Sequence, residues 1–245
     1  MGAERWKINW SGGKDSTAAA IMHFNAEHEC SLVCYVPMLC DGIPLIMPNH
    51  YEYIMKTADI FKSWGFKVYI VNGISYYAHV HSVTTRGENK GKYRGIGLGL
   101  GFCLFRNYSK IKALQSLKID TDFIDIGIAA DEHERFPQLQ GNKRSILAEN
   151  GITERKAFEI CLQHDMLSPI YFSSARRDGC AICPNASVHE FQKYCMAYPA
   201  AVPVLLEIEE FCKNVRPNNA PYRNHEWFSD RLLMPYQYEL NFSDI

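Results

Sequence analysis

Residues 7–24 read KINWSGGKDSTAAAIMHF. Trp6 to Trp10 is predicted to be a short strand, Ser11 to Gly13 a break, and Lys14 to about Glu27 a helix. Two adjacent glycines permit a tight turn and let backbone N–H groups approach a ligand with no Cβ in the way. At the mouth of a helix, those N–H groups and the helix dipole make an anion site. Lys14 adds a positive charge, and the Ser11, Ser16 and Thr17 hydroxyls add donors that can follow phosphate oxygens. The spacing is neither that of a Walker loop nor the GxGxxG of a dinucleotide fold. The plain competitor is a structural Gly-Gly turn capped by Ser or Asp.

Outward from this stretch, Cys30 to Pro37 and Phe66 to Val71 read as further strands, with a helix from about His50 to Trp64 between them. Successive strand–helix–strand units argue for an α/β protein built on a parallel sheet. Residues 72–102 lack strong periodicity and read as a functional loop. A helix is expected over Phe105 to Leu117 and a strand over Thr121 to Ile128. Beyond Thr153 the pattern is helical without clear strands. A boundary near Asn150 therefore separates a sheet domain, 1–150, from a helical C-terminal region, 151–245.

The 245 residues carry a net charge of -1, with 47% hydrophobic and 22% charged residues, an ordinary globular balance that gives no bulk attraction to nucleic acid or to a membrane. No apolar run suggests a secretion signal or a bilayer span, and Trp6 disfavours myristoylation at Gly2. A cytoplasmic location is expected. Nine cysteines, an odd number, do not suggest a disulfide framework.

Three further segments bear on function: DIGIAADEHER at residues 125–135, LSPIY at 167–171 and RRDGCAICP at 176–184. With SGGKDS, they resemble, in order, the PP-loop ATP pyrophosphatase and adenine nucleotide α-hydrolase superfamily. The likeness is to its phosphoadenylylsulfate (PAPS) reductase-like branch, particularly phage and DNA-phosphorothioation relatives. The resemblance implies an adenine nucleotide, ATP with Mg²⁺ or an adenylylsulfate, bound at the carboxyl ends of the sheet. It implies nucleotide binding by Ser11, Gly12, Gly13, Lys14, Ser16, Thr17, Arg176 and Arg177, and chemistry at Lys14, Asp15, Asp131 and Arg135. Asp131 and Glu132 suit Mg²⁺ bridging phosphates, and Arg135 suits an anionic oxygen pair. A solvated helix start is the competing reading of DEHER. Lys110 and Lys112 fall loosely where reductase-like members carry a lysine after a cysteine. The chain has no cysteine after Cys212, which departs from the tail of thioredoxin-dependent PAPS reductases.

Cys180 and Cys183 form a CxxC pair, open to redox, zinc or iron–sulfur readings. It follows an arginine-rich loop rather than an early strand, so a metal centre is favoured. Relatives place a cysteine before LSPIY, which points to Cys161. Adenylylsulfate reductases draw cluster cysteines from a middle segment, which points to Cys103, with Cys195 as its rival. The expected cofactor is a [4Fe–4S] cluster, with zinc as the alternative. The other cysteines read as small core residues. His79 and His81 read as two partly exposed residues on one strand face, and His23 and His28 as surface residues. The expected activity is adenylation-coupled sulfur transfer or sulfonucleotide chemistry, with a sulfur donor or reductant protein as partner. The alternative is a nucleotide-binding accessory protein that acts only with partners. Nucleic acid remains an open partner that the bulk charge does not indicate.

Overall fold

A computed structural model describes residues 4–99, 102–172, 179–217, 219–222 and 225–236. In chain order the elements are β1 (Arg5–Trp10), α1 (Lys14–Asn25), β2 (Glu29–Tyr35), β3 (Met38–Cys40), β4 (Ile43–Pro44), α2 (Pro48–Ser63), β5 (Lys67–Val71) and α3 (Tyr76–His81). There follow β6 (Leu98–Gly99), β7 (Phe102–Cys103), α4 (Leu104–Arg106), α5 (Lys112–Ser116), β8 (Phe123–Asp125), β9 (Lys143–Arg144), α6 (Ile146–Glu149), α7 (Glu154–Gln163), α8 (Val188–Ala197), α9 (Ala201–Val215) and α10 (Phe228–Leu233).

Five strands pair in parallel in the order β5-β2-β1-β8-β9. Numbered within the sheet, this is 3-2-1-4-5, a Rossmann-like α/β arrangement. The alternation along β1 buries Trp6, Ile8 and Trp10, while β2 is almost continuously buried, as expected of a strand flanked on both sides. Helix α1 lays Ala18, Ala19, Ala20 and Ile21 into the core, the small side chains allowing close approach. Ile54, Ala58 and Phe61 of α2 are buried at the expected helical spacing.

The chain divides into two compact units, rather than at a single cut near Asn150. The first draws on Met1–Tyr35, Asn49–Val71 and Ala113–Asp178, and carries the five-stranded sheet. Residues 151–178 stay with it because α7 packs against α1. The second draws on Val36–Pro48, Asn72–Lys112 and Gly179–Ile245. Its core is built around Tyr76, Phe105, Ile182, Phe191, Tyr194 and Phe228. Within it, α8 begins with a capping box, Ser187 and Glu190 each bonding the other's backbone N–H.

Several expectations change. The strand over Thr121 to Ile128 shrinks to Phe123–Asp125, and the helix over Phe105 to Leu117 contains a π turn at Asn107–Ile111. Residues 72–102 hold helix α3 and a backbone-paired hairpin, so most of this segment is ordered. His79 and His81 lie on α3, not on a strand, and His79 is fully buried. His23 is also fully buried, because its Nε2 meets the Asp125 carboxylate at 2.7 Å.

Candidate functional site

The 3-2-1-4-5 order reverses direction between β1 and β8, and in such sheets the crevice outside the carboxyl ends of these two strands receives ligands. Residues Ser11–Gly13 leave β1 at that point and lead into α1. Gly12 takes the left-handed backbone conformation, φ 78°, and a Cβ there would stand 2.7 Å from Ile54 Cγ1 and 2.9 Å from His50 Cε1. Only glycine satisfies both conditions. On the β8 side, a Cβ on Gly127 would stand 2.8 Å from the Ser16 backbone nitrogen and 2.9 Å from its Cα. The absence of a side chain thus lets the segment after β8 lie against the first turn of α1. Gly127→Ala is expected to cost about 2 kcal/mol through this backbone clash, read as a lowered urea midpoint with an unchanged slope.

Hydroxyl groups accept from three of the loop's N–H donors. Ser11 Oγ accepts from the Gly13 N–H at 3.3 Å, Tyr171 Oη accepts from the Lys14 N–H at 2.9 Å, and Ser16 Oγ accepts from the Ser11 N–H at 3.1 Å. Thr17 lies deeper, its Oγ1 accepting from Trp10 Nε1 at 3.0 Å, so it supports the loop from within the core. The Lys14 ammonium lies 2.9 Å from Asp15 Oδ2 and 2.6 Å from Glu154 Oε1. Burial works against its charge, but the bonds and attraction from Glu154 and Asp15 outweigh burial and raise the ammonium above its ordinary value. Burial raises the Asp15 carboxyl, Lys14 offsets part of this, and repulsion from Glu154 and Glu132 adds to it. Two acids, Asp15 and Glu154, thus share one cation.

The other expected residues have structural partners. Asp131 Oδ1 accepts from the Glu154 N–H at 3.0 Å, at the start of α7. Arg135 Nη1 donates to both oxygens of Glu132, at 2.6 and 2.8 Å, and Glu132 Oε2 also accepts from the Ala129 N–H. Arg176 and Arg177 lie outside the described residues. Glu154, Tyr171, Gly127 and His50 shape the loop but were not singled out from the sequence. Tyr171 was legible as part of LSPIY, whereas Glu154 reads locally as no more than a helix start. No protein-family model matches the chain, and no curated protein matches it.

The cysteines fall in both units. Cys161 belongs to the first, fully buried, with its thiol donating to the Lys14 carbonyl at 3.1 Å and pushed up to about 12, chiefly by burial. Cys103, Cys180 and Cys183 belong to the second. Burial raises the Cys103 thiol, which also lies within electrostatic reach of Cys183. Cys180 and Cys183 both act on Tyr222. Burial likewise pushes Cys195 up to about 12. Among the described residues, no group of three or more His, Cys, Asp or Glu side chains is arranged to hold a metal ion.

Proposed function

We propose that the loop between β1 and α1 binds the phosphates of an adenine nucleotide, ATP or an adenylylsulfate. We further propose that the chain uses this nucleotide for adenylation-coupled sulfur transfer or sulfonucleotide chemistry. The observation that carries the reading is the position of SGGKDS at the switch point of the sheet, with Gly12 left-handed and the loop's N–H groups held by hydroxyl oxygens. Those oxygens occupy positions that phosphate oxygens can take over with little rearrangement of the backbone. Lys14 then exchanges carboxylates for phosphate. In adenylation, an acceptor attacks the α-phosphorus, the bond to the bridging oxygen breaks, and pyrophosphate leaves with the charge. Donors fixed at the loop stabilise that charge as it develops. Mg²⁺ enters with ATP, ligated chiefly by the phosphates.

Calorimetric titration with ATP and with an adenylylsulfate tests this reading. Lys14→Ala is expected to weaken binding about ten- to a hundredfold, the worth of a charge-assisted hydrogen bond. Tyr171→Phe removes the competitor for the Lys14 N–H and is expected to tighten binding about two- to tenfold. Absence of binding by both nucleotides, or a Lys14→Ala variant that binds as the parent does, would sink the proposal. For the second unit, we propose that Cys103, Cys180 and Cys183, whose side chains are not gathered around a metal position in this structure, would move together to hold a [4Fe–4S] cluster, which would supply or position sulfur. Anaerobic purification with iron and sulfide analysis tests this, and one equivalent of zinc without iron overturns it.

A further inference from the structure

The net charge of -1 conceals a strongly basic segment in the second unit. Residues 83–95 carry Arg86, Lys90, Lys92 and Arg94 against the single acid Glu88. This segment is ordered as a hairpin. Val83 bridges Tyr93 in antiparallel fashion, the Thr84 N–H donates to the Lys92 carbonyl at 2.9 Å, and the Gly91 N–H donates to the Thr84 carbonyl at 2.9 Å. Arg94 packs over the Tyr108 ring, but Arg86, Lys90 and Lys92 are exposed and displayed on a fixed backbone, which lowers the ordering cost of binding.

Between this hairpin and the end of α9 lies a groove of about 570 Å³, lined by Asn89, Lys92, Tyr93, Val215 and Arg216. Among the described residues, two cations and two neutral hydrogen-bonding side chains line it, and no acid does. Among the described residues, Arg86, Lys90, Lys92 and Arg216 form no ion pair, so no carboxylate has to be displaced from them, in contrast to Lys14 or Lys213. Tyr93 is 43% exposed, and its ring is held at 80° to Phe211 with centroids 5.0 Å apart. An exposed aromatic ring of fixed plane among unpaired cations is the arrangement that stacks a base while neighbouring charges follow a phosphate chain.

We infer that this groove binds single-stranded nucleic acid. Lys92 and Arg216 contact phosphates within the groove, Arg86 and Lys90 extend the track along the hairpin, and Tyr93 stacks a base. A free mononucleotide would use the groove but not Arg86 and Lys90, which lie outside its lining. The inference stands apart from the loop at β1, since it uses none of that loop's residues.

Fluorescence anisotropy of the full chain with a labelled oligothymidylate tests it. Binding is expected to weaken with salt at a log–log slope of about -2 to -3, as for three or four phosphate contacts on a single strand. The double variant Lys92→Gln/Arg216→Gln is expected to lose about tenfold or more in affinity and to flatten the slope by about 1 to 1.5. Tyr93→Ala is expected to lose about fivefold or more with the slope unchanged. Unaltered melting temperatures of these variants exclude misfolding as the cause, and Lys14→Ala is expected to bind the strand as the parent does. Three results overturn the inference: no change in anisotropy, affinity indifferent to the groove substitutions, or competition by AMP equal to that by an unlabelled strand.

Discussion

Asp125→Ala is expected to destabilise the chain by about 3–5 kcal/mol, the range for removing one partner from a buried ionic or strongly polar pair. The Asp125 carboxylate is fully buried at the end of β8, beside β1. Its Oδ2 accepts from the Ile146 N–H at 3.1 Å and lies 2.7 Å from His23 Nε2. His23 Nδ1 in turn lies 2.8 Å from His28 Nδ1, and Trp6 packs against both rings. Removal of the carboxylate strips partners from α1 and from the start of α6 together, in a fully buried region. Asp125→Asn keeps the shape and one acceptor, so its loss is expected to be smaller. Equilibrium urea unfolding of the two variants at neutral pH measures this ordering, and a loss below about 1 kcal/mol for Asp125→Ala would contradict it.

The second large effect is a pH dependence centred on His79. Its ring is enclosed by Tyr76, Phe105 and Tyr108, and its two nitrogens have no hydrogen-bond partner among the described residues. Burial, reinforced by the charge of Arg94, pushes its pKa down from 6.5 to about 4. The folded state therefore binds fewer protons than the unfolded one between these values. Its contribution to stability is present above pH 6.5, falls as the pH drops toward 4, and levels off below that. The amount at stake is on the order of 3 kcal/mol. His28 shifts in the same direction, through burial and then the neighbouring His23. His79→Leu isolates the contribution of His79. Its stability profile between pH 6.5 and 4 should be flatter than the parent's, whatever its absolute stability, and an identical slope would refute the assignment.

The physical scale of each interaction explains what was readable in advance. Strand β1, the glycine break, helix α1 and the buried face of α2 follow from periods of two and 3.6 residues, which are local properties. The two residues of β9, Lys143 and Arg144, are exposed and carry no period, so their pairing with β8 was not legible. The burial of His23 depends on Asp125, a residue 102 positions away. Likewise, α3 was hidden because its six residues are too few for a helical period to stand out.

The sequence by itself determined that a glycine-rich, lysine-bearing turn joins a strand to a helix in a parallel α/β protein, because backbone freedom and side-chain period are written residue by residue. Only the tertiary structure decided that this turn lies at the point where the strand order reverses, that Tyr171 and Glu154 close on Lys14 from 157 and 140 residues away, and that the chain forms two interleaved units. These depend on how crossovers bring distant segments together, and no local pattern encodes that.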